Sequence, residues 1–91
     1  MEQGQPIQVE TVISICLEQL AELAWVKLGL VPDPIAKTIA KDLAQARLAI
    51  DAVAALGGAI EGQLDDDDRR KVQGLIRDLR MNYVEKSKEG T

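Results

Sequence analysis

The chain has 91 residues, the length of one small domain, and its 46% hydrophobic content comes mainly from aliphatic residues and alanine, with Trp25 and Tyr83 as its aromatic residues. It has no histidine and a single cysteine, Cys16, which excludes an intrachain disulfide and removes the usual metal ligand and proton carrier. The net charge of −4 is unevenly placed, because residues 1–68 hold 12 acidic and 4 basic side chains whereas residues 69–91 hold 3 and 7.

The start of the chain indicates a cytoplasmic protein. No window comes near the roughly 18 uninterrupted apolar residues of a bilayer-spanning helix. The acidic start Met1-Glu2-Gln3 lacks the basic region of a signal peptide. Residues 1–8 contain Gly4 and Pro6 and follow no periodic pattern, so we expect a flexible leader ahead of a single domain over 9–86.

The first predicted helix begins at Val9. Its apolar residues recur at steps of three and four and form one stripe, made of Val9, Val12, Ile13, Cys16, Leu17, Leu20, Leu23 and Ala24. Cys16 lies on this stripe and has no histidine to activate it, so core packing is favoured over a nucleophile. Ile15, Trp25 and Val26 project away from the stripe, which favours an interface with another molecule.

A turn is predicted directly after the first helix. Gly29 stands where a left-handed C-terminal residue is expected, and Pro32 and Pro34 prevent the helix from continuing. Leu30 and Val31 are apolar within this connector, and we expect them to tuck under the bundle. The second helix is predicted to begin between Pro34 and Thr38.

The second predicted helix is apolar on two sides. Its core stripe comprises Ile39, Leu43, Ala46, Ile50, Val53 and Ile60, with Gly57 at a further core position. Its other side carries Ala44, Leu48, Ala52, Ala55, Leu56 and Ala59. Two apolar faces are hard for so short a chain to cover, which predicts a homodimer. Gly57-Gly58 either weakens this helix or permits a close crossing, and we favour the crossing.

The third predicted helix follows Gly62 and runs from about Asp66 to about Lys86. Its buried positions are expected to be Val72, Leu75, Ile76, Leu79 and Tyr83, with residues 87–91 as a frayed tail. The aspartates at 65–68 suit a helix start better than a calcium or magnesium site, because metal loops space their ligands along a turn. The predicted fold is all-α, a three-helix bundle or a helical hairpin plus a third helix, completed by dimerisation.

Two groups of polar residues are candidates for function. Arg69, Arg70, Arg77 and Arg80 form an edge that either binds nucleic acid or pairs with acids of the first two helices, and the acidic whole chain favours pairing. Arg47, Asp51, Asp78, Arg80 and Tyr83 are expected to form a polar network that braces the helices. An active site built on these residues is the weaker interpretation, since no cleft is implied.

Three segments resemble a known family. They are Leu28-Gly29-Leu30-Val31-Pro32-Asp33-Pro34, then Asp42-Leu43-Ala44-Gln45-Ala46-Arg47 with Ile50-Asp51, and Asp78-Leu79-Arg80-Met81-Asn82-Tyr83-Val84-Glu85. In this order they resemble the small bacterial proteins of domain of unknown function 1844, from about Val12 to Glu85. The resemblance implies a short cytoplasmic helical protein with no established activity. The sequence departs from the family pattern at Gly57-Gly58 and at the aspartate run.

The expected function is therefore interaction with another protein, without cofactor or metal. The chain is predicted to be a homodimeric accessory or scaffold protein that uses Ile15, Trp25, Val26, Leu48, Ala52, Ala55, Leu56 and Ala59 as an interface. One alternative is a nucleic-acid or ribosome-associated module that uses the basic edge, whose binding would weaken as salt rises. The other is a small enzyme that uses Asp33, Arg47, Asp78, Arg80 or Tyr83.

Overall fold

Three α-helices build the protein. The structure, a computed structural model, describes Gly4 and residues 6–89, and in that part it contains helices and no strand. Helix α1 spans Val9–Lys27, α2 spans Leu43–Ile60, a short 3-10 helix spans Glu61–Gln63, and α3 spans Asp66–Glu89. The all-α fold predicted from the sequence is confirmed. The rest of the leader, residues 1–3 and 5, and the last two tail residues lie outside the described residues.

Helix α1 ends as its sequence predicts. Gly29 has a φ of 80°, which a glycine adopts without steric cost. The Gly29 N–H donates to the Val26 carbonyl oxygen at 3.0 Å, and the Leu30 N–H donates to the Trp25 carbonyl oxygen at 3.1 Å. This pair of bonds is a Schellman motif, which satisfies carbonyl groups left over at the helix end.

The connector between α1 and α2 is longer than predicted. Asp33 Oδ1 accepts the N–H groups of Ile35 and Ala36 at 2.8 and 2.9 Å, which winds a turn over residues 34–36. Lys37 then adopts a φ of 63°, so this turn does not continue into a helix. The predicted start of the second helix between Pro34 and Thr38 was wrong, because α2 begins at Leu43 behind the Asp42 cap.

Helices α1 and α2 form an antiparallel hairpin. The Asp42 N–H donates to the Lys27 carbonyl oxygen at 2.8 Å, which holds the start of α2 beside the end of α1. The core lies mainly between these helices and contains Leu17, Ala21, Ala24 and Leu28 of the first arm and Ala46, Ala49, Ile50, Val53 and Ile60 of the second. Alanine side chains let the two helix axes approach closely.

Helix α3 packs across one side of the hairpin. Asp65 Oδ1 accepts the Asp68 N–H at 2.8 Å and caps its first turn, so the aspartate run starts a helix as predicted. Leu79 is fully buried, and the predicted contacts Val72, Leu75, Ile76 and Tyr83 pack half-buried against the core. The helix continues to Glu89 and so includes Ser87, which we expected in the frayed tail.

Of the two glycines Gly57 and Gly58, only Gly57 lies where α2 and α3 cross. A Cβ added at Gly57 would lie 2.9 Å from Val72 Cγ1 and 3.1 Å from Ile76 Cδ1. A Cβ added at Gly58 would meet nothing within 4 Å. The predicted close crossing is confirmed at Gly57, whereas nothing within the described chain requires glycine at position 58.

Several residues assigned to the core are exposed. On α1, Val9, Val12, Cys16 and Leu23 face solvent, because the buried stripe passes through Leu17, Ala21 and Ala24. Leu30 and Val31 do not tuck under the bundle, since both are exposed in the connector. Ile39 was placed in the second helix, but it lies in the connector and is exposed.

Candidate functional site

The position of α3 distinguishes the two flanks of the hairpin. Ser14 and Glu18 of α1 share a surface depression with Val72 of α3. Arg47 and Asp51 of α2 share another with Arg80 of the same helix. Each of α1 and α2 therefore has one flank that faces α3. Because successive residues of an α-helix are rotated by about 100°, the other flank of each helix faces away from α3, and these two flanks lie on the same side of the hairpin.

This side is an open apolar surface, which we name the open hairpin face. Leu48 is 63% exposed and Leu23 is 45% exposed, although both are large aliphatic side chains. The open hairpin face is formed by Val9, Val12, Cys16, Leu20 and Leu23 of α1 with Leu48, Ala52, Ala55, Leu56 and Ala59 of α2. Contiguous apolar surface of this kind marks a site of contact with another molecule.

Charge is absent from most of this face. Over the described helices, no charged residue lies on it between Val9 and Leu23 or between Leu48 and Ala59. Its polar members are Gln19 and Gln45, and Lys27 lies at its end. Glu18 and Glu22 lie on the flank of α1 that faces away from the open hairpin face, and the ion pair Arg47–Asp51 lies on the corresponding flank of α2. Desolvating the face therefore buries no carboxylate or guanidinium group.

The predicted interface residues divide into two groups. Leu48, Ala52, Ala55, Leu56 and Ala59 all lie on the open hairpin face, and Ile15 is exposed at its edge. Trp25 and Val26 do not project into solvent as expected. Trp25 is half-buried against the core, and Val26 is 3% exposed at the end of α1, where the connector returns to the hairpin.

The α1 half of this face was not predicted as an interface from the sequence. Its members Val12, Cys16 and Leu23 were assigned to the core because they share the three-and-four spacing of the buried residues. A signal was present, since this stripe has eight members on a helix of about five turns and is wider than a single contact needs.

Four of the five predicted network residues meet at the groove between α2 and α3. Arg47, Asp51, Arg80 and Tyr83 line a depression of about 330 Å³. Arg47 Nε lies 4.0 Å from Asp51 Oδ2, and both side chains are largely exposed. Asp78 does not line the depression and instead lies 3.7 Å from Arg77 Nε. An exposed pair of this kind adds little stability, so the groove is braced mainly by apolar contacts.

The arginines of α3 pair mainly with acids of their own helix. Arg69 Nη1 lies 3.0 Å from Asp66, Arg70 Nη2 lies 3.4 Å from Asp67, and Arg77 pairs with Asp78. The expected pairing with acids of the first two helices was therefore wrong. Asp66 and Asp67 lie three residues before Arg69 and Arg70, and Asp78 is next to Arg77, so acids of the same helix are already within reach.

Arg69 and Arg80 differ in what they contact. Arg69 also donates to the carbonyl oxygens of Leu64 at 2.9 Å and Glu61 at 3.4 Å, and so ties α3 to the segment that follows α2. Arg80 has no hydrogen bond or ion pair with another residue of the described chain. It is the member of the basic edge that keeps its guanidinium group available in the groove.

Asp33 is the carboxyl group with a displaced pKa. The N–H groups of Ala36 and Ile35 hold the pKa of Asp33 below its usual value of 3.8, because both donate to the charged form. Asp33 lies in the connector and lines none of the depressions that hold Arg47, Arg80 and Tyr83. Its chemistry is that of a turn cap.

Two further features bear on the kind of site present. Among the described residues, no group of three cysteine, aspartate or glutamate side chains is arranged to hold a metal ion. By length and composition alone, the segment Leu43–Gln63 could cross a membrane, since its mean hydropathy is 1.4. About a third of it is buried inside the protein. A core helix of a soluble protein passes the same test.

Comparison with known proteins gives one match. The family model described as a domain of unknown function, DUF1844, matches residues 9–85. This range covers all three helices apart from the last residues of α3. No curated protein and no solved structure matches the chain.

Proposed function

The chain belongs to the DUF1844 family, a family defined by a domain of unknown function, and from its surfaces we propose that it is a non-catalytic protein-interaction module. The open hairpin face is its working surface. The observation that carries this proposal is that large aliphatic side chains are exposed on one face shared by two adjacent helices, and that the charged residues of these helices lie mostly off that face.

Solvent exposure of this face is costly for an isolated chain. Each large aliphatic side chain is worth about 1.5–3 kcal/mol when it passes from full exposure to full burial. Val12, Leu23 and Leu48 are each about half exposed, so a molecule that buried them and their neighbours would be stabilised in the complex by several kcal/mol. Nothing in the local helix propensity requires them, since glutamine or lysine would serve equally well at exposed positions.

A catalytic role is less well supported. The groove brings together Arg47, Asp51, Arg80 and Tyr83, but the depression is shallow and its ion pair is exposed to solvent. General acid–base chemistry needs groups whose protonation is tuned by burial or by close neighbours. Asp33, the carboxyl group whose pKa is lowered, lies in the connector and not in this groove.

A nucleic-acid role is also less well supported. Three of the four arginines on the basic edge are each paired with a nearby aspartate, which reduces their attraction for phosphate. The remaining arginine of this edge, Arg80, belongs to a chain whose net charge is −4, which opposes binding to a polyanion. Retention on RNA or DNA at low salt would revive this alternative.

We place the protein in the cytoplasm. Helix α2 carries Arg47 and Asp51 on its exposed flank, and a bilayer would have to desolvate both side chains. Its buried stripe is already occupied by contacts with α1, which a separate transmembrane helix would lose. Recovery of the protein in the membrane fraction after a high-salt wash would contradict this placement.

A scan of single substitutions in the native organism tests the proposed function. The scan is run under a condition where deletion of the gene slows growth. Charged substitutions at Val12, Leu23 and Leu48 are expected to behave like the deletion, whereas alanine at Arg80 and phenylalanine at Tyr83 are expected to grow normally. The reverse pattern would assign the activity to the groove and would end the proposal.

A matched control separates loss of contact from loss of fold. Val84 of α3 is 51% exposed, close to Leu23 in size and exposure, and lines the groove with Arg80 and Tyr83, away from the open hairpin face. Val84→Glu is therefore expected to leave growth unchanged. Equal defects from Val84→Glu and Leu23→Glu would mean that the scan does not single out the open hairpin face, and would contradict the proposal.

A further inference from the structure

We propose that the molecule which covers the open hairpin face is a second copy of this chain. The two hairpins then form a four-helix core, with one α3 on each outer side. This inference rests on the proposed function and names its partner.

The thickness of the molecule supports a missing layer. Its extents are 52 × 29 × 18 Å, and the shortest equals about two helix diameters of roughly 10 Å. The radius of gyration is 15.0 Å, whereas a compact chain of this length has about 12 Å. The two layers are the hairpin and α3, so α3 covers one side of the hairpin and no further helix of the described chain covers the other. A second hairpin would supply a layer of matching length.

The exposed area supports the same conclusion. The chain exposes 6499 Å², whereas a folded monomer of 9.9 kDa is expected to expose about 5,200 Å². The excess is about 1,300 Å², part of which comes from exposed residues 6–8 and from the exposed connector between α1 and α2. A standard protein interface removes about 800 Å² from each partner, so the excess is of the same order as one such interface.

The dimensions of the face agree with that area. At 1.5 Å per residue, the 18 residues of α2 span about 27 Å. Two packed helices present a width of about 20 Å, which gives a projected area of about 540 Å². Protruding side chains such as Leu23 and Leu48 raise the accessible area above this projection, towards the value that a stable dimer needs.

Charge placement makes the face compatible with its own copy. Two chains together carry a net charge of −8, twice the −4 of one chain, which opposes association of acidic surfaces. The acids of α1 at Glu18 and Glu22 lie on the flank towards α3, so packing the open faces together brings no carboxylates into contact. A differently charged partner would require complementary charges that this face does not offer.

Light scattering coupled to gel filtration tests the inference. Wild-type protein at tens of micromolar is expected to have twice the 9.9 kDa mass of one chain. Leu48→Glu places a carboxylate from each copy in the contact, and we expect dimerisation at least a hundredfold weaker with an unchanged helical circular dichroism spectrum. Val84→Glu is the matched control and is expected to stay dimeric.

Cys16 provides a second readout on the same face. Its thiol is exposed in the single chain, so a second copy should slow its reaction with a thiol reagent as protein concentration rises. Leu48→Glu should react at the fast rate at every concentration, whereas Val84→Glu should follow the wild type. Equal protection of Cys16 in the wild type and in a monomeric Leu48→Glu variant would mean that the chain covers Cys16 itself, which would overturn the inference.

The outcomes distinguish this inference from the proposed function. A wild-type monomer at 100-micromolar concentration, with growth still sensitive to Leu48→Glu, would overturn the second copy but keep an interaction with a different protein or with lipid. Binding to anionic lipid vesicles by that monomer would identify the lipid. A dimer broken by Val84→Glu and not by Leu48→Glu would place the contact on α3 and would also overturn the inference.

Discussion

Replacing Gly57 and Gly58 one at a time with alanine tests the crossing of α2 and α3. Both glycines lie in the same helix, and both substitutions remove similar flexibility from the unfolded chain. On helix propensity alone, each alanine should stabilise the protein by about 0.5–1 kcal/mol. The difference between the two variants therefore isolates the effect of the added methyl group on packing.

The structure gives opposite expectations for the two positions. At Gly58 a Cβ meets nothing within 4 Å, so Gly58→Ala should keep the full gain in stability. At Gly57 the Cβ would lie 2.9 Å from Val72 Cγ1, an atom that a β-branched side chain cannot easily move. Overpacking of a tight contact costs about 1–3 kcal/mol, which exceeds the propensity gain. We expect Gly57→Ala to be less stable than Gly58→Ala by about 1–3 kcal/mol.

Urea unfolding at one fixed protein concentration provides the measurement. Helical circular dichroism reports α-helix, and Trp25 fluorescence reports the hairpin core against which the indole packs. A fixed concentration is needed because the stability of a dimer depends on concentration. For a domain of this size, a change of 1 kcal/mol shifts the thermal midpoint by about 4–8 °C.

Two results would refute the packing account. Equal stabilisation by both alanines would mean that α3 moves away from Gly57 at no cost and that the crossing is not tight. Loss of stability in Gly58→Ala would mean that a contact from outside the described chain occupies the space beside Gly58, because the chain itself places nothing there.

Three further predictions concern α3 and the connector. Arg69→Ala should lower the free energy of unfolding by about 1 kcal/mol, because it loses an aspartate and two carbonyl acceptors, whereas Arg80→Ala should change it by less than about 0.5 kcal/mol; equal effects in urea unfolding would contradict this. Asp65→Ala should cost about 1 kcal/mol through loss of the α3 cap, with Asp67→Ala as the exposed control that changes little. The folded-state pKa of Asp33 lies below 3.8, so its stabilising contribution is present above that pH and is lost as the pH falls through the folded value. In urea unfolding, the free energy by which wild type exceeds Asp33→Asn should therefore shrink below about pH 3.8. A difference that stays constant with pH would contradict the role of Asp33 as a cap.

Helix positions were predictable where local chemistry decides them. Gly29 ends α1 and the aspartates before Arg69 start α3, because caps and turn residues act on their immediate neighbours. The start of α1 at Val9 has no side-chain cap and was predicted from the spacing of its apolar residues. The start of α2 was not predictable in the same way. Asp33 and Asp42 are both acceptable cap residues, and the first winds only a short turn because Lys37 adopts a left-handed conformation.

The candidate site was predictable in part for a similar reason. The spacing of Arg47 and Asp51 by four residues fixes their pairing, since both lie on one helix. The partners of Arg69 and Arg70 were not found, because acids on their own helix compete with acids on other helices and win by proximity. Such competition depends on distances between helices, which a single sequence does not contain.

The residues of α1 that were wrongly assigned to the core were misassigned for one physical reason. An apolar stripe records every surface that a helix keeps away from water, whether another part of the chain or another molecule covers it. On α1 the half with Leu17 packs inside the chain, and the half with Val12, Cys16 and Leu23 forms part of the open hairpin face. If a second copy covers that face, the broad stripe describes the dimer correctly, and concentration-dependent protection of the Cys16 thiol is then the direct measure of its outer half. If no molecule covers it, the stripe has no physical cause at these positions, and polar substitutions there should be harmless.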